Sequence, residues 1–396
     1  MGEAQTRAMR VGVAGLGRAF AVMLPTFLAD ARVRLVAAAD PRPEARAQFA
    51  ADFGGRTYDS VADLCADSAV DVVYVASPHQ HHRAHAELAA RHGKHLLIEK
   101  PMALTLDDCA AMIAAARAAN VQLIVGHSHS FDAPVQRLRA LIASGEFGRV
   151  RMINAINYTD YLNRPRRPEE LDTAQGGGAV FNQAAHQVDI VRLINGGDLG
   201  GGAVTRVRAL TGAWDASRPT EGAYAALLSF ADGAFASLTY NGFGHFDSDE
   251  FEGWIGEMGQ LKSGYAAMPR PRFVGAQDEI AAKAARNYGG ADFRTSAAAP
   301  QAHQHFGTLI VSCERADLRA VPNGVMIYRD GTARLDELPQ PTAPRAEVID
   351  ELYAAVVDGK PPLHDGAWAM ATVEVLLAML RSVRDGRDVD PSLRGA

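Results

Sequence analysis

The first third of the chain alternates short apolar runs with longer stretches rich in alanine and leucine. The apolar runs, several of them rich in valine, are residues 11–15, 34–39, 70–77, 95–98 and 121–125. Each run is too short for a helix, whereas β-branched residues favour strands. The helix-favouring stretches between them include residues 43–53, 80–92 and 105–120. Strands that alternate with helices of this length predict a doubly wound parallel sheet, the Rossmann arrangement.

The chain from Val150 onward has a different pattern. Residues 204–211 alternate apolar and polar side chains, and two further runs flank Asp232-Gly233, a hairpin-turn signal. These runs are residues 223–230 and 234–241. The pattern predicts an open, mainly antiparallel sheet with one face packed on helices. A strongly apolar stretch at residues 366–385 predicts a final helix.

The length of 396 residues corresponds to two to three domains at about 150 residues each. The change of pattern after the fifth apolar run favours two. We therefore expect an α/β protein with a dinucleotide-binding Rossmann domain over residues 1–128. An α+β substrate domain is expected over residues 129–396.

Composition and charge exclude several classes of protein. The formal net charge is −6, from 40 basic and 46 acidic residues, and there is no lysine-rich run, which argues against nucleic acid as a partner. The three cysteines stand far apart and form no disulfide framework or cysteine zinc site. No stretch of about 18 uninterrupted apolar residues predicts a membrane span, and the polar N-terminus is no signal peptide. We expect a cytoplasmic protein.

A glycine turn follows the first predicted strand, at Gly15-Leu16-Gly17. In dinucleotide folds the first glycine permits the tight turn and the second lets the backbone approach the pyrophosphate. The pattern is incomplete because Phe20 stands at the third glycine position, and any strand-to-helix turn can use glycine. The residues assigned to the pyrophosphate site are Gly15, Leu16, Gly17, Arg18 and Ala19.

Asp40 ends the second predicted strand, 23 residues after Gly17. A carboxylate there can accept hydrogen bonds from the adenosine ribose and would repel the phosphate of NADP, which favours NAD. Arg42 nearby softens that preference, so NADP stays possible. The alternative for Asp40 is a helix N-cap.

A histidine-rich segment follows the third predicted strand, at the carboxyl edge where open α/β sheets bind ligands. Pro78 offers a rigid apolar face for a ring, and His79 or His82 can hydrogen-bond a cofactor; Ser77 is assigned to the same site. Histidines this dense also suggest a metal site. Adjacent histidines do not share a helix face, however, and no carboxylate at helical spacing joins them, so we expect no metal.

Glu99-Lys100-Pro101 follows the fourth predicted strand at the same edge. A lysine held there can hydrogen-bond a substrate hydroxyl and lower its pKa. Pro101 restricts the preceding residues to extended geometry, and Glu99 is placed to pair with the ammonium and to border the cofactor. The alternative is an ordinary surface lysine.

Three glycines, Gly176 to Gly178, precede a polar helix. Because glycine has no side chain, these residues let the backbone come close to a neighbouring group. Asn182, His186 and Asp189 then fall at i, i+4 and i+7, on one helical face. A histidine that titrates near working pH suits removal of a hydroxyl proton as a general base. The alternative is a buried histidine with satisfied hydrogen bonds.

Together, Gly15-Leu16-Gly17, Ser77-Pro78-His79 with His82, Glu99-Lys100-Pro101 and residues 176–189 resemble the Gfo/Idh/MocA family of NAD(P)-dependent oxidoreductases. The resemblance implies a small-molecule substrate and homodimers or homotetramers formed through the C-terminal sheet. It makes Lys100 the catalytic lysine and His186 the catalytic histidine, and we expect Asp189 to orient His186. Asn182 takes the place of an aspartate that sugar-oxidising members carry, and His79 replaces the commoner asparagine.

Residues 126–131, 163–172 and 306–314 resemble a subgroup labelled phthalate 4,5-cis-dihydrodiol or 4,5-dihydroxyphthalate dehydrogenase. Such a substrate carries two carboxylates beside a cis-diol. Arginines can clamp carboxylates bidentately. The residues assigned to the substrate are His127, His129, Arg164, Arg166 and Arg167. The alternative for the arginines is a solvated loop that pairs with Glu169 and Glu170.

Three other functions compete with this interpretation. One is a sugar or cyclitol dehydrogenase of the same family, and another is a cofactor-binding regulator without turnover. The third is a metal-dependent enzyme; its candidate ligands are His127, His129, His186, His303 and His305. The retained Lys100 and His186 argue against the regulator.

Overall fold

The computed structural model describes residues 7–196, 199, 201–267, 275–294 and 300–392. Their contacts divide the chain into two compact units. The first holds the described residues within 1–127, 280–298 and 345–370, and the second those within 128–279, 299–344 and 371–396. Each unit is built around one sheet.

Six parallel strands form the sheet of the first unit. Their bounds are β1 (Met9–Ala14), β2 (Val33–Ala39), β3 (Arg56–Tyr58), β4 (Val72–Val75), β5 (His95–Ile98) and β6 (Leu123–Val125). The strand order is β3-β2-β1-β4-β5-β6, and every neighbouring pair is parallel. The order reverses direction beside β1, as in a doubly wound sheet, so the predicted Rossmann arrangement is confirmed.

Eight strands form the sheet of the second unit. Their bounds are β7 (Val150–Tyr158), β8 (Val204–Gly212), β9 (Ala223–Phe230), β10 (Phe235–Asn241), β11 (Thr308–Cys313), β12 (Asp317–Val321), β13 (Gly324–Arg329) and β14 (Thr332–Glu337). The order is β14-β13-β12-β11-β7-β10-β9-β8. Only β10 and β7 pair in parallel, so the predicted mainly antiparallel sheet is confirmed. Gly233 makes the predicted hairpin turn with φ +87°.

Ten α-helices lie within the described residues. Their bounds are α1 (Arg18–Ala29), α2 (Pro43–Phe53), α3 (Val61–Ala66), α4 (His82–Arg91), α5 (Leu106–Ala118), α6 (Ala133–Ala143), α7 (Ala185–Asn195), α8 (Ala276–Ala285), α9 (Ala346–Val356) and α10 (Gly366–Asp385). Side chains fix where some of them begin. Thr105 accepts a hydrogen bond from the backbone N of Asp108 at 3.1 Å, which caps α5 at its predicted start.

Two late segments belong to the first unit, which differs from the prediction of a second domain running unbroken over residues 129–396. Tyr288 packs its ring edge-on against Phe20 at 5.1 Å and donates its hydroxyl to Asp52 at 2.5 Å. Asp350 pairs with Arg32 at 2.5 Å. Because these contacts join residues more than 200 positions apart, no local sequence pattern predicts them.

One helix among the described residues, α10, has the length and apolar composition needed to cross a membrane. Half of its most apolar window is buried within the protein. The fully buried Leu376 and Met379 lie on it, as expected of a helix that packs in a core.

Candidate active site

The glycine turn after β1 has two parts with different roles. Gly15 has φ +102°, and a Cβ there would lie 2.9 Å from the backbone N of Ser77, so the turn needs glycine. Gly17 precedes α1, and nothing lies within 4 Å of the position that its Cβ would take. The first backbone N–H groups of α1, beginning at Arg18 and Ala19, have no acceptors within the helix. Open space before a helix N-terminus suits a pyrophosphate.

Asp40 locks this turn from the end of β2. Its carboxylate accepts a hydrogen bond from the backbone N of Leu16 at 2.7 Å and pairs with Arg42 at 3.0 Å. Arg42 in turn donates to the carbonyl oxygen of Leu16 at 2.8 Å. The carboxylate is therefore placed beside the glycine turn, and a cation lies next to it. Its contact with the ribose stays a prediction.

The sequence predicts that His82 contacts the cofactor, but in the structure its ring is engaged by the protein backbone. Its ring is buried, with Nε2 2.9 Å from the carbonyl oxygen of Ser77 and Nδ1 3.1 Å from that of Met102. Burial lowers its pKa to about 4, so the ring is neutral and donates to one of these oxygens at a time. His82 thus ties the turn after β4 to the loop after β5. Pro78 and His79 are half-buried beside it and stay candidates for the cofactor.

The buried His82 predicts a loss of stability in acid. Its pKa is lowered from 6.5 to about 4, so the unfolded chain takes up this proton first as the pH falls. Its neutral form stabilises the fold fully above pH 6.5. We expect about 3 kcal/mol of the unfolding free energy to be lost between pH 6.5 and 4. When the free energy of unfolding is measured by denaturation at several pH values in this range, it should fall less steeply with decreasing pH for His82→Gln than for the wild type.

The control for this experiment is His92→Gln, which changes an exposed histidine. His85 stays in all three proteins, and burial lowers its pKa to about 4 as well, so some acid loss remains in each. Equal slopes for His82→Gln and the wild type would contradict the assignment.

Glu99 directly follows β5, and its side chain is buried. Its Oε1 accepts a hydrogen bond from the Tyr74 hydroxyl at 2.5 Å, and burial raises the pKa of Glu99, while the charges of Arg345 and Lys100 oppose the shift. Lys100 follows directly and is half-buried, and its peptide bond to Pro101 is cis. Glu99 therefore acts on Lys100 at least through its charge.

The glycine-rich segment makes its close approaches to the protein itself. A Cβ on Gly177 would lie 2.6 Å from the backbone O of Glu170. Gly178 has φ +78°, and a Cβ there would collide with the carboxylate of Glu221. Packing against these groups accounts for two of the three glycines.

Glu221 was not identified from the sequence, and it organises this segment. It is buried, and its Oε1 accepts a hydrogen bond from the backbone N of Val180 at 3.1 Å. Its Oε2 accepts from the hydroxyls of Thr173 and, at 3.2 Å, of Thr220. Glu221 lies 43 residues beyond Gly178, so no local pattern joins the two.

Asn182, His186 and Asp189 were predicted to share one polar helix face, and in the structure each of them has different partners. Asn182 lies in a π-helical turn, Val180–Ala184, and its Nδ2 donates to the carbonyls of Gly176 and Gly178 at 3.0 and 2.8 Å. Because a π turn changes the helical register, the simple i, i+4 spacing does not hold there. The amide of Asn182 therefore holds the glycine loop.

Asp189 anchors α7 at both of its carboxylate oxygens. Ser130 donates its hydroxyl to Oδ2 at 2.5 Å, and Thr372 donates to Oδ1 at 2.8 Å. Arg192 lies 3.8 Å from the same carboxylate. The orientation of His186 by Asp189 stays a prediction.

His186 lies on a wall of rings in the second unit. Its ring centroid is 4.8 Å from that of His129, edge to face, and 4.7 Å from that of Phe306. Phe306 stacks on Tyr240 at 6.2 Å with an interplanar angle of 7°. The side chain of His186 is almost fully buried. Phe306 and Tyr240 are buried as well, so the surroundings of this imidazole are aromatic and largely apolar.

His129, assigned to the substrate from sequence, is held between two carboxylates. Its Nδ1 lies 2.6 Å from Asp132, and its Nε2 lies 3.3 Å from Glu257. Burial opposes the charged ring, but the two carboxylates raise the pKa of His129 above its ordinary value. His129 is thereby stabilised as a cation next to His186. His127 is buried and ends the first of the three segments that form the first unit.

The three arginines do not form one clamp. Arg164 pairs with Asp160 at 2.9 Å. Arg166 lies over the ring of Tyr161 at 3.8 Å and donates to the carbonyl of the same residue at 2.6 Å. The guanidinium of Arg166 is thus committed to a cation–π contact.

Arg167 pairs with Glu169 at 2.9 Å and with Glu170 at 3.6 Å. This is the charged-loop alternative considered for the cluster. Its predicted contact with a substrate carboxylate would require breaking these pairs.

His303 and His305, named for a metal-dependent enzyme, are engaged by the backbone. The Nε2 of His305 lies 2.7 Å from the carbonyl of Ile255, and its Nδ1 accepts from the backbone N of Gly307 at 3.1 Å. The Nε2 of His303 lies 2.8 Å from the carbonyl of Pro339. Both nitrogens of His305 are therefore used.

Comparison with known proteins identifies the family. A model described as the oxidoreductase family with an NAD-binding Rossmann fold, Gfo/Idh/MocA, matches residues 9–127. The C-terminal domain model of the same family matches residues 135–262. A 1-carboxy-3-chloro-3,4-dihydroxycyclohexa-1,5-diene dehydrogenase from Comamonas testosteroni is 46% identical over 378 residues, which is 94% of each chain.

Two solved structures show the same fold. A crystal structure of a dehydrogenase from Bordetella bronchiseptica RB50 is 40% identical and superimposes with a TM-score of 0.89 over 97% of this chain and 100% of that one. The WlbA dehydrogenase from Bordetella pertussis, in complex with NADH and UDP-GlcNAcA, is 23% identical with a TM-score of 0.67. That likeness covers 98% of this chain and 100% of the other, and it shows the fold alone.

Proposed function

Because this chain belongs to the Gfo/Idh/MocA family of NAD-binding oxidoreductases, we propose that it oxidises the cis-dihydrodiol of an aromatic carboxylate. Its activity as an NAD-dependent dehydrogenase follows from the family. The observation that carries the finer proposal is the 46% identity, over 94% of both chains, to a dehydrogenase named for a carboxylated dihydroxycyclohexadiene. A phthalate dihydrodiol, with two carboxylates, is one member of the same substrate class.

The residues of the first unit fit the cofactor. Gly15 makes a turn that a side chain would obstruct, and Gly17 leaves space before α1 for a pyrophosphate. Asp40 is assigned to the adenosine ribose, and the Arg42 beside it leaves NADP as a weaker alternative. When bound, NAD supplies a nicotinamide ring that accepts a hydride.

The proton of the oxidised alcohol is assigned to His186. Oxidation removes a hydride from carbon and a proton from the hydroxyl, and Nε2 or Nδ1 of a neutral imidazole can take that proton. The ammonium of Lys100 is proposed to donate a hydrogen bond to the hydroxyl oxygen and so stabilise the negative charge that develops there.

Rearomatisation supplies the driving force for a cis-dihydrodiol. Oxidation of one hydroxyl gives a ketone; the neighbouring carbon then loses its proton and the ketone oxygen gains one, which gives the catechol. A sugar or an inositol has no such step available. Phe306, with Tyr240 stacked on it, gives His186 aromatic and largely apolar surroundings, which suit a cyclohexadiene ring.

A substrate panel tests the proposal. Reduction of NAD and of NADP is followed by the absorbance of the reduced nicotinamide with aromatic cis-dihydrodiols, inositols and aldoses. We expect turnover of carboxylated cis-dihydrodiols with NAD. Activity on inositols or aldoses alone would select the sugar or cyclitol dehydrogenase. Absence of turnover with all of them would support a cofactor-binding regulator.

We also propose a homodimer or homotetramer assembled through the sheet of the second unit. Leu210, Leu227 and Phe235 lie on one face of that sheet and are 63%, 53% and 45% exposed. Apolar side chains grouped in this way mark an interaction surface. Light scattering should give a dimer or tetramer mass, and Leu227→Glu should reduce it to that of the monomer. A monomeric wild type would contradict this assembly.

A further inference from the structure

We propose that Arg164 and His129 bind the carboxylate of the substrate, and that Glu257 occupies the position of that carboxylate until the substrate arrives. This inference rests on the proposed function and names the groups that recognise the acid. All three residues belong to the second unit, as does His186.

Two carboxylates lie beside His129: that of Asp132, and that of Glu257, whose charge also acts on Arg164. Asp132 is 2.6 Å from Nδ1 with its side chain 1% exposed, so this partner is fixed in the interior. Glu257 is 3.3 Å from Nε2 with its side chain 34% exposed. The contact with Glu257 is the longer of the two and the one that solvent can reach. The same His129 ring lies 4.8 Å from His186, so a ligand at Nε2 would lie near the proposed base.

Arg164, like His129, pairs with an aspartate and is also affected by the charge of Glu257. It pairs with Asp160 at 2.9 Å and keeps 40% of its side chain exposed. Surrounding protein disfavours the charge, but Asp160 and Glu257 together raise the pKa of Arg164. Arg164 is thus a cation that solvent reaches. Glu257 acts on both cations.

The charges identify Glu257 as the replaceable group. Three carboxyl side chains, those of Asp132, Asp160 and Glu257, lie beside or act on the two basic groups of His129 and Arg164. Glu257 is the most exposed of the three carboxylates. It lies between Gly253 and Gly259, both of which have positive φ. A substrate carboxylate in its place would preserve the charge balance.

Aromatic rings lie beside the His129 cation. The ring centroid of Phe306 is 4.9 Å from that of His129 and 4.7 Å from that of His186, and Tyr240 stacks on Phe306 at 6.2 Å. The charges of Arg164 and Glu257 both act on the hydroxyl of Tyr240. A substrate carboxylate that displaces Glu257 would bring its acid to Arg164 and His129 and the ring that carries it next to these aromatic side chains.

The test compares a carboxylated cis-dihydrodiol with the cis-dihydrodiol of benzene, which lacks the acid. Arg164→Met should lower kcat/KM for the carboxylated substrate by roughly ten- to hundredfold and leave the uncarboxylated one nearly unchanged. Glu257→Gln should lower KM for the carboxylated substrate by about three- to tenfold. Arg137→Met is the matched control, since Arg137 also pairs with an aspartate and is 43% exposed.

A binding measurement keeps the inference independent of turnover. Benzoate, an unreactive aromatic carboxylate, is titrated into each variant by calorimetry. We expect tighter binding to Glu257→Gln, weaker binding to Arg164→Met and wild-type binding to Arg137→Met. Unchanged or weaker binding to Glu257→Gln would overturn the role of Glu257. Equal losses on both substrates in Arg164→Met would overturn the role of Arg164. If no dihydrodiol is oxidised at all, the proposed function fails, and the benzoate titration still decides this inference.

Discussion

Lys100→Met should lower kcat by about 10³-fold, because the developing alkoxide loses its charged hydrogen-bond donor. Methionine preserves the length and much of the apolar volume of the lysine stem, so the turn after β5 should keep its packing. The dissociation constant of NAD, measured by fluorescence titration, should change little. The loss would then lie in the chemical step and not in the binding of the cofactor.

Two comparisons make this result specific. Lys360→Met removes an ammonium that is 71% exposed and should leave kcat unchanged. If Lys100 and His186 act on one hydroxyl, Lys100→Met combined with His186→Asn should cost little more than the larger single loss. A parallel weakening of NAD binding and turnover in Lys100→Met would assign the lysine to the cofactor alone.

Gly178→Ala should destabilise the fold by roughly 2–5 kcal/mol, the sum of a left-handed backbone and a forced contact. The new Cβ would collide with the carboxylate of Glu221, which is buried and bonded to the backbone N of Val180. Moving that carboxylate breaks the bond at the start of the helical segment that carries His186. We therefore expect a lower midpoint of denaturation together with a lower kcat.

Gly145→Ala is the matched control for the backbone. Gly145 has φ +73° against +78° for Gly178, and nothing lies within 4 Å of its Cβ position. It should lose only the backbone contribution, about 1–2 kcal/mol. In a Glu221→Ala background the additional cost of Gly178→Ala should disappear, since the colliding carboxylate is gone. Equal losses for the two glycine variants would exclude the collision.

The order of strands and helices in the first unit was predictable because each buried strand is a continuous apolar run. The strand β3, Arg56–Tyr58, was missed because three largely polar residues at a sheet edge carry no such signal. The packing of Tyr288 against Phe20 could not be predicted from the sequence either. Burial of one aromatic ring against another across that separation depends on the assembled fold.

The site was predictable where one turn carries the chemistry, as at Gly15 and Gly17. It was less predictable where partners come from distant segments. Glu221 reaches Val180 across 41 residues, and His82 is held by the carbonyls of two different loops. Glu257 lies 128 residues from His129. Sequence spacing identifies residue types on one element, but it does not identify the groups that meet them.

The central claim is that this dehydrogenase converts a carboxylated cis-dihydrodiol to a catechol with NAD. The most direct measurement is the stoichiometry of that reaction, with the catechol carboxylate quantified by chromatography and the reduced cofactor by absorbance. The account predicts one catechol carboxylate for each NAD reduced, and no catechol when NAD is omitted. Reduced cofactor without catechol, or an unchanged dihydrodiol in the presence of NAD, would contradict it.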